Sequence, residues 1–298
     1  MKGIENYYFE ETTDYLASYE ALAMRRNAIK DSMSQIEDAL CSAGGSIIHG
    51  SSAKTYRHSS RTENNAIKLQ DLRAEYVDVQ SKCIDARADV FNVISALGGE
   101  HYNVLYSRYI EMNATGKTAR RLGCITGAVN RKLNEGIKAL IPVALAYGKI
   151  EYKTLDSISL SDTLYDCRML SAAVHYAEKR LVEERAALSN ERYIAIDFRP
   201  AWRKLHDEAI DEAQLFRDVY TIRANESAKR VEKMLRFVGN SAQVEMLKMY
   251  YIECKSVPDI ASATDGFSQK QVESVISEGV AAMSSNLRDS IKRKNISR

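Results

Sequence analysis

The chain has 298 residues, room for about two domains at the usual size of roughly 100–200 residues each. Hydrophobic residues make up 45% and charged residues 28%, and only three prolines and fourteen glycines occur, so a globular protein with real cores and long helices is expected. The net charge of +2 says little as a total, and its distribution says more. No stretch approaches the roughly 20 apolar residues of a membrane span. Met1–Asp14 holds four acids (Glu5, Glu10, Glu11, Asp14) and no apolar run, unlike a secretory signal. The five cysteines (Cys41, Cys83, Cys124, Cys167, Cys254) are scattered without a CxxC spacing. They argue against a zinc site or a disulfide framework, and for reduced thiols in a cytoplasmic protein.

In chain order, Tyr15, Tyr19, Leu22, Ile29, Met33, Ile36 and Leu40 recur at helical spacing, with Arg26 in the same stripe. They predict an amphipathic helix of coiled-coil type. The polar stretch Ser42–Asn65 reads as a loop. It contains His49 and His58, with no acid or cysteine at metal spacing. From Leu69, apolar residues alternate by three and four through Leu72, Tyr76, Val79, Cys83, Ala86, Val90 and Val93 to Leu97. This single seam predicts a second helix folded back on the first as an antiparallel hairpin, with a homodimeric coiled coil as the competing use. Gly98-Gly99 is its stop signal.

Leu105–Leu140 has the pattern of a helix-turn-helix unit. Ala119 is the small residue where the helices cross, Gly123-Cys124-Ile125 is the turn, and Val129, Leu133, Ile137 and Leu140 bury the second helix. Thr126, Gly127, Asn130, Arg131 and Lys132 are left toward solvent or DNA, and Arg and Asn can grip guanine and adenine edges bidentately. Lys117, Arg120, Arg121 and Lys138 are placed as phosphate contacts. Pro142 should end or kink the last helix, and 148–160 reads as a linker.

The second half repeats this order. Helices are expected over about Asp162–Leu188 and Trp202–Val238, separated by a loop at Ser189–Pro200 and stopped at Gly239. Leu247–Met283 then aligns with Leu105–Leu140. Tyr109-Ile110-Glu111 recurs as Tyr251-Ile252-Glu253, Thr118-Ala119 as Ile260-Ala261, Val129 as Val272, and Glu135-Gly136 as Glu278-Gly279. The offset grows by one residue, so one insertion separates the copies. Such a repeat defines an all-α chain of two modules, 1–147 and 161–298, each a long helical hairpin followed by a helix-turn-helix. In the second copy Ser268 is a candidate helix cap, and Ser268, Gln269, Lys270 and Ser274 are the candidate DNA contacts, with Glu273 beside them.

Charge separates the copies. His101–Ile150 holds eight Lys or Arg against two acids, a balance of +6. Gly239–Met283 holds three Lys against six acids, a balance of −3, and the tail Ser284–Arg298 returns to +4. A local basic excess is the footprint of a polyanionic partner. The first unit therefore dominates the expected DNA contact.

Leu122-Gly123-Cys124-Ile125-Thr126-Gly127-Ala128-Val129, with Leu140 eleven residues on, resembles region 4 of bacterial sigma factors. Ser256-Val257-Pro258-Asp259-Ile260-Ala261, followed by Gly266-Phe267-Ser268 and Val272, fits the start of that frame still better. Hairpin plus region 4-like unit resembles the phage late-gene transcriptional regulators, here with the module doubled. The resemblance implies promoter-region binding to double-stranded DNA that turns on late genes, with host RNA polymerase as a further partner. The first copy departs from the frame at Thr118, usually apolar, and at Ile125, usually a polar cap.

Two other classes fit the same elements. A DNA-packaging component of the terminase small-subunit type would form a ring. A helical scaffold acting on polymerase would keep the helix-turn-helix units only for packing. Gly116-Lys117-Thr118 resembles the end of a phosphate-binding loop, but Glu111 stands where the leading glycine is required. No catalytic grouping and no cofactor site emerges, so the chain is not expected to be an enzyme.

Overall fold

A computed structural model describes residues 3–44, 55–153, 159–264 and 266–296; side chains at 43–44, 55–62 and 290–296 are outside that description. The described chain is all-α, with no strand among these residues. The helices are α1 (Ile4–Gly44), α2 (Thr55–Ser95), α3 (Gly99–Leu105), α4 (Thr115–Arg121), α5 (Thr126–Ala146), α6 (Leu160–Ser189), α7 (Arg199–Leu235), α8 (Ser241–Tyr251), α9 (Val257–Ala263) and α10 (Gln269–Ile296). A π-helical turn, Tyr106–Ile110, extends α3.

Contacts group the chain into two compact units. One is Thr13–Gly136; the other joins Met1–Thr12 to Ile137–Arg298. Both α1 and α5 therefore run from one unit into the other.

In the unit Thr13–Gly136, the seam read from the heptads is the buried side of α2. Leu69, Val79, Cys83, Val90 and Val93 are buried there, as are Leu16, Tyr19, Ala23 and Ile29 on α1. Cross-helix pairs fix the antiparallel register: Tyr15 Oη donates to Asp89 at 3.4 Å, and Arg25 and Arg73 reach Glu75 and Glu37, each at 2.8 Å. The expected loop is shorter than Ser42–Asn65, because α1 persists to Gly44 and α2 starts at Thr55. Ser, Thr and Asn lower helix propensity by fractions of a kcal/mol without forbidding a helix. Residues 45–54, with His49, lie outside the described residues.

In the other unit, α6 and α7 pack antiparallel along their lengths. Arg180 pairs with Glu212 at 2.7 Å, Glu184 with His206 Nδ1 at 2.5 Å, and Ser227 Oγ donates to Asp166 at 3.1 Å. Ser159 caps α6 by accepting from the Asp162 amide, and Pro200 starts α7 where an amide would go unbonded anyway. The base of this hairpin shares one core with α8–α10: Leu164, Cys167, Val231, Leu235, Met246, Leu247, Ile260, Val272, Ile276 and Met283 are all buried in it.

One local expectation is corrected: Pro142 does not end its helix, since α5 continues to Ala146. Ile141, Val143, Ala144, Leu145 and Ala146 are fully buried around it, and that burial outweighs one missing backbone bond. The helix ends at Ala146, and the turn after it holds Gly148 at φ of +64°. The acidic start of the chain carries a short apolar stripe that the sequence reading does not single out. Ile4, Tyr8 and Thr12 form an i, i+4 ladder buried in the second unit, where the Lys153 amide donates to Tyr8 Oη at 2.9 Å.

Candidate nucleic-acid interface

The chain has two three-helix segments, α3–α5 and α8–α10, which share backbone details; the first lies in the unit Thr13–Gly136 as far as Gly136 of α5, and the second lies wholly in the other unit. Met112 and Cys254 are the non-glycine residues with positive φ, +55° and +54° among those described. Both directly follow the repeated Tyr-Ile-Glu and close the preceding helix. The same two bonds flank them: Glu111 N–H to Tyr106 O and Asn113 N–H to Ser107 O, against Glu253 N–H to Lys248 O and Lys255 N–H to Met249 O. Downstream, the turns hold Gly123 and Gly266 at φ of +63° and +87°, so the inserted residue falls between the closing turn and this one. Gly136 and Gly279 let the last helix cross closely. A Cβ would lie 3.2 Å from Leu105 Cγ at the first and 2.7 Å from Leu247 Cδ1 at the second.

The copies differ inside. Thr118 and Ser107 are fully buried in the first, with their hydroxyls 3.2 Å apart. Asn113 Nδ2 donates to Ser107 Oγ at 3.2 Å and to Glu111 at 2.8 Å. The corresponding pair in the second is apolar, Met249 and Ile260. Thr118 is thus accommodated in the buried frame because the Ser107 hydroxyl faces it.

They also differ in how helices start. Ser256 and Asp259 form a reciprocal capping box at α9. Ser268 Oγ accepts from the Gln271 amide while Gln271 Oε1 accepts from the Ser268 amide. In the first copy, Ala114 provides no cap for α4 and the residue before α5 is Ile125, which has no side-chain acceptor.

The predicted residues are distributed as follows. Lys117, Arg120, Arg121, Thr126, Gly127, Asn130 and Arg131 are exposed on the solvent side of α4, the turn and α5. Among the described residues, Lys117 and Arg120 have no acidic partner; the Arg120 Nε–H donates weakly to Gly116 O at 3.4 Å. Arg121 is paired with Glu111. Arg131 has only an exposed i, i+4 contact with Glu135 at 3.8 Å, a type worth about 0.3–0.5 kcal/mol. Lys132 is half-buried and bonded to Glu100 at 2.8 Å, a pairing that raises the Lys132 pKa and lowers that of Glu100. Lys138 falls in the other unit and pairs with Glu5 at 2.6 Å. In the second copy Gln269 and Lys270 are exposed, Ser268 is engaged as a cap, and Ser274 Oγ donates to Glu278 at 2.8 Å.

The pairings of Lys132 and Lys138 join residues far apart in sequence, and nothing in the local pattern signals them. Ile125 was legible in the sequence, because a large aliphatic at a cap position breaks a local rule.

Among the described residues no group of three His, Cys, Asp or Glu side chains could hold a metal ion, and no helix is long and apolar enough to cross a membrane. The buried Cys167 thiol is pushed up to about 12 by burial, beside the Asp166 carboxyl, so it is a poor nucleophile. Comparison of the chain with protein-family models, curated proteins and solved structures finds no match.

Proposed function

We propose that the chain is a sequence-specific DNA-binding regulator of transcription, of the phage late-gene activator type, in which the α3–α5 segment makes the dominant DNA contact. One observation carries this reading. The exposed side of α4, the turn and the start of α5 presents Lys117, Arg120, Asn130 and Arg131 to solvent over a buried apolar and hydroxyl frame. Cations on the outer face of a helix pair, with the second helix starting at that face, suit a major-groove docking in which α5 reads bases and α4 holds phosphates.

The α8–α10 segment supports a different use of the same frame. Its helix starts are closed by Ser256/Asp259 and Ser268/Gln271, and Glu253, Glu273 and Glu278 are exposed. An acidic surface with satisfied helix ends repels phosphate. Protein contact, with host RNA polymerase as the candidate, fits it better than DNA contact.

The test is selection of bound duplexes from a random-sequence library, followed by titration of one selected duplex at several salt concentrations. Arg131→Ala should cost roughly 1–3 kcal/mol on the selected duplex and little on a scrambled one, whereas Lys117→Ala should weaken both and flatten the salt slope by about one. Binding that ignores salt, or an unselected library, refutes the reading.

A further inference from the structure

Ile125 is the most exposed large apolar side chain described, at 78%. It stands immediately before α5, where its carbonyl accepts from the Ala128 and Val129 amides. That is the cap position, where Ser, Thr, Asp and Asn are strongly preferred because a side-chain oxygen satisfies a free amide. The second copy obeys the preference with Ser268 at the equivalent place. The first copy forgoes the cap and holds four aliphatic carbons in water. Two local rules are broken at one residue, and such breaks concentrate where function compensates for them.

The surroundings narrow the chemistry. Gly127, two residues on, has nothing within 4 Å of where a Cβ would be, so a surface can approach the backbone there. Thr126 beside it adds a second exposed methyl group. Among the described residues, the unpaired cations nearest in sequence are Lys117 and Arg120 on α4; Arg121 before the turn is paired with Glu111, and Arg131, a turn into α5, has only its exposed contact with Glu135. An aliphatic tip in a cationic setting does not suit a lipid-like or purely apolar partner. It suits a polyanion that offers an apolar feature at the bottom of a groove. In duplex DNA that feature is the thymine C5-methyl group, which lines the major groove and which apolar side chains read.

We infer that Ile125 is a specificity-determining residue that contacts a thymine methyl group and so selects an A·T pair at one position of the target. This rests on the DNA-binding reading above. The arrangement gives that position a methyl-dependent preference and leaves the bidentate contacts to Asn130 and Arg131.

The test uses one duplex selected by the wild-type chain and a set of derivatives in which each thymine in turn is replaced by deoxyuridine, which lacks only the methyl group. Wild-type protein should lose about fourfold in affinity at one thymine, the ratio expected for a single buried methyl group. Ile125→Ser should bind that duplex and its deoxyuridine twin equally, and Ile125→Val should keep part of the difference. Thermal melting of Ile125→Ser at or above the wild-type temperature ties the lost discrimination to the contact and not to misfolding. If wild type and Ile125→Ser respond alike to every deoxyuridine replacement, the inference is overturned while DNA binding stands. If the wild-type chain selects no duplex at low salt, both fall together.

Discussion

Replacing Thr118 by Val tests whether the first unit's buried frame depends on its hydroxyl pair. The substitution keeps the volume and β-branching and removes only the oxygen. In the structure that oxygen lies 3.2 Å from Ser107 Oγ, and both residues are fully buried. Ser107 still accepts from Asn113 Nδ2 at 3.2 Å, so one bond of a chain is lost and not the whole chain. A net loss of about 1 kcal/mol follows, at the middle of the usual range for an intramolecular hydrogen bond, and up to about 2 if the remaining hydroxyl is stranded. Ser107→Ala should cost a similar amount, because Asn113 retains Glu111 as an acceptor. The double variant should cost less than the two singles together by at least about 0.5 kcal/mol, since it removes both ends of one interaction. Hydrogen exchange read by mass spectrometry on peptides spanning Thr115–Gly136 reports this unit alone. Thr118→Val should exchange there roughly fivefold faster. Strict additivity of the two singles, or a Thr118→Val variant as protected as wild type, refutes the account of why a threonine sits at this site.

Gly148→Ala should destabilise the second unit by about 2–4 kcal/mol, combining a left-handed backbone at φ +64° with a Cβ that falls on the Phe216 ring; a melting temperature within a degree of wild type would contradict it. Ser256→Ala should cost about 1 kcal/mol by opening the capping box at α9, measured as faster exchange in Val257–Ala263; unchanged exchange there would mean the box contributes nothing. Asp166 gives a pH signature. Burial raises its pKa, outweighing the hydrogen bonds from Tyr152 and Ser227 and the charges of Arg230 and Arg223. The folded chain therefore binds this proton more tightly than the unfolded one. Its contribution is most favourable below the ordinary carboxyl value of about 3.9 and is lost as pH rises through the raised value. Wild type should accordingly lose stability relative to Asp166→Asn as pH rises from about 4 toward neutrality, and a difference in melting temperature that stays flat or moves the other way defeats the assignment.

Features that repeat along the helix axis were legible in the sequence. The seam from Leu69 to Leu97 was readable because its members as far as Val93 lie on one side of α2, with Leu69, Val79, Cys83, Val90 and Val93 buried and the rest partly so. The internal repeat was readable because the residues that close a helix, cross it or bury it are restricted in type: Gly136 and Gly279 at the crossings, Val129 and Val272 in the cores. Features decided by distant partners were not. The ion pairs Lys132–Glu100 and Lys138–Glu5 engage two basic residues that the sequence pattern alone assigned to DNA. Pro142 shows a strong local rule losing to five fully buried neighbours. The ladder Ile4, Tyr8, Thr12 was hidden because four acids outnumber it in the same stretch, and Glu5 and Glu11 flank it at helical spacing.

The unit that contains α6–α10 is discontinuous, because Met1–Thr12 belongs to it. Synthesis makes these residues before Ile137 and the helices after it, so they are complete before their burial site exists. Tyr8, fully buried in the finished chain, spends that interval in water or in temporary company. Sequence separations of this kind slow folding, since the entropy of closing the loop is lost before the contacts reward it. The seat of Met1–Thr12 should thus form late, and a variant lacking these residues should behave as an incomplete fold of the unit that holds α6–α10.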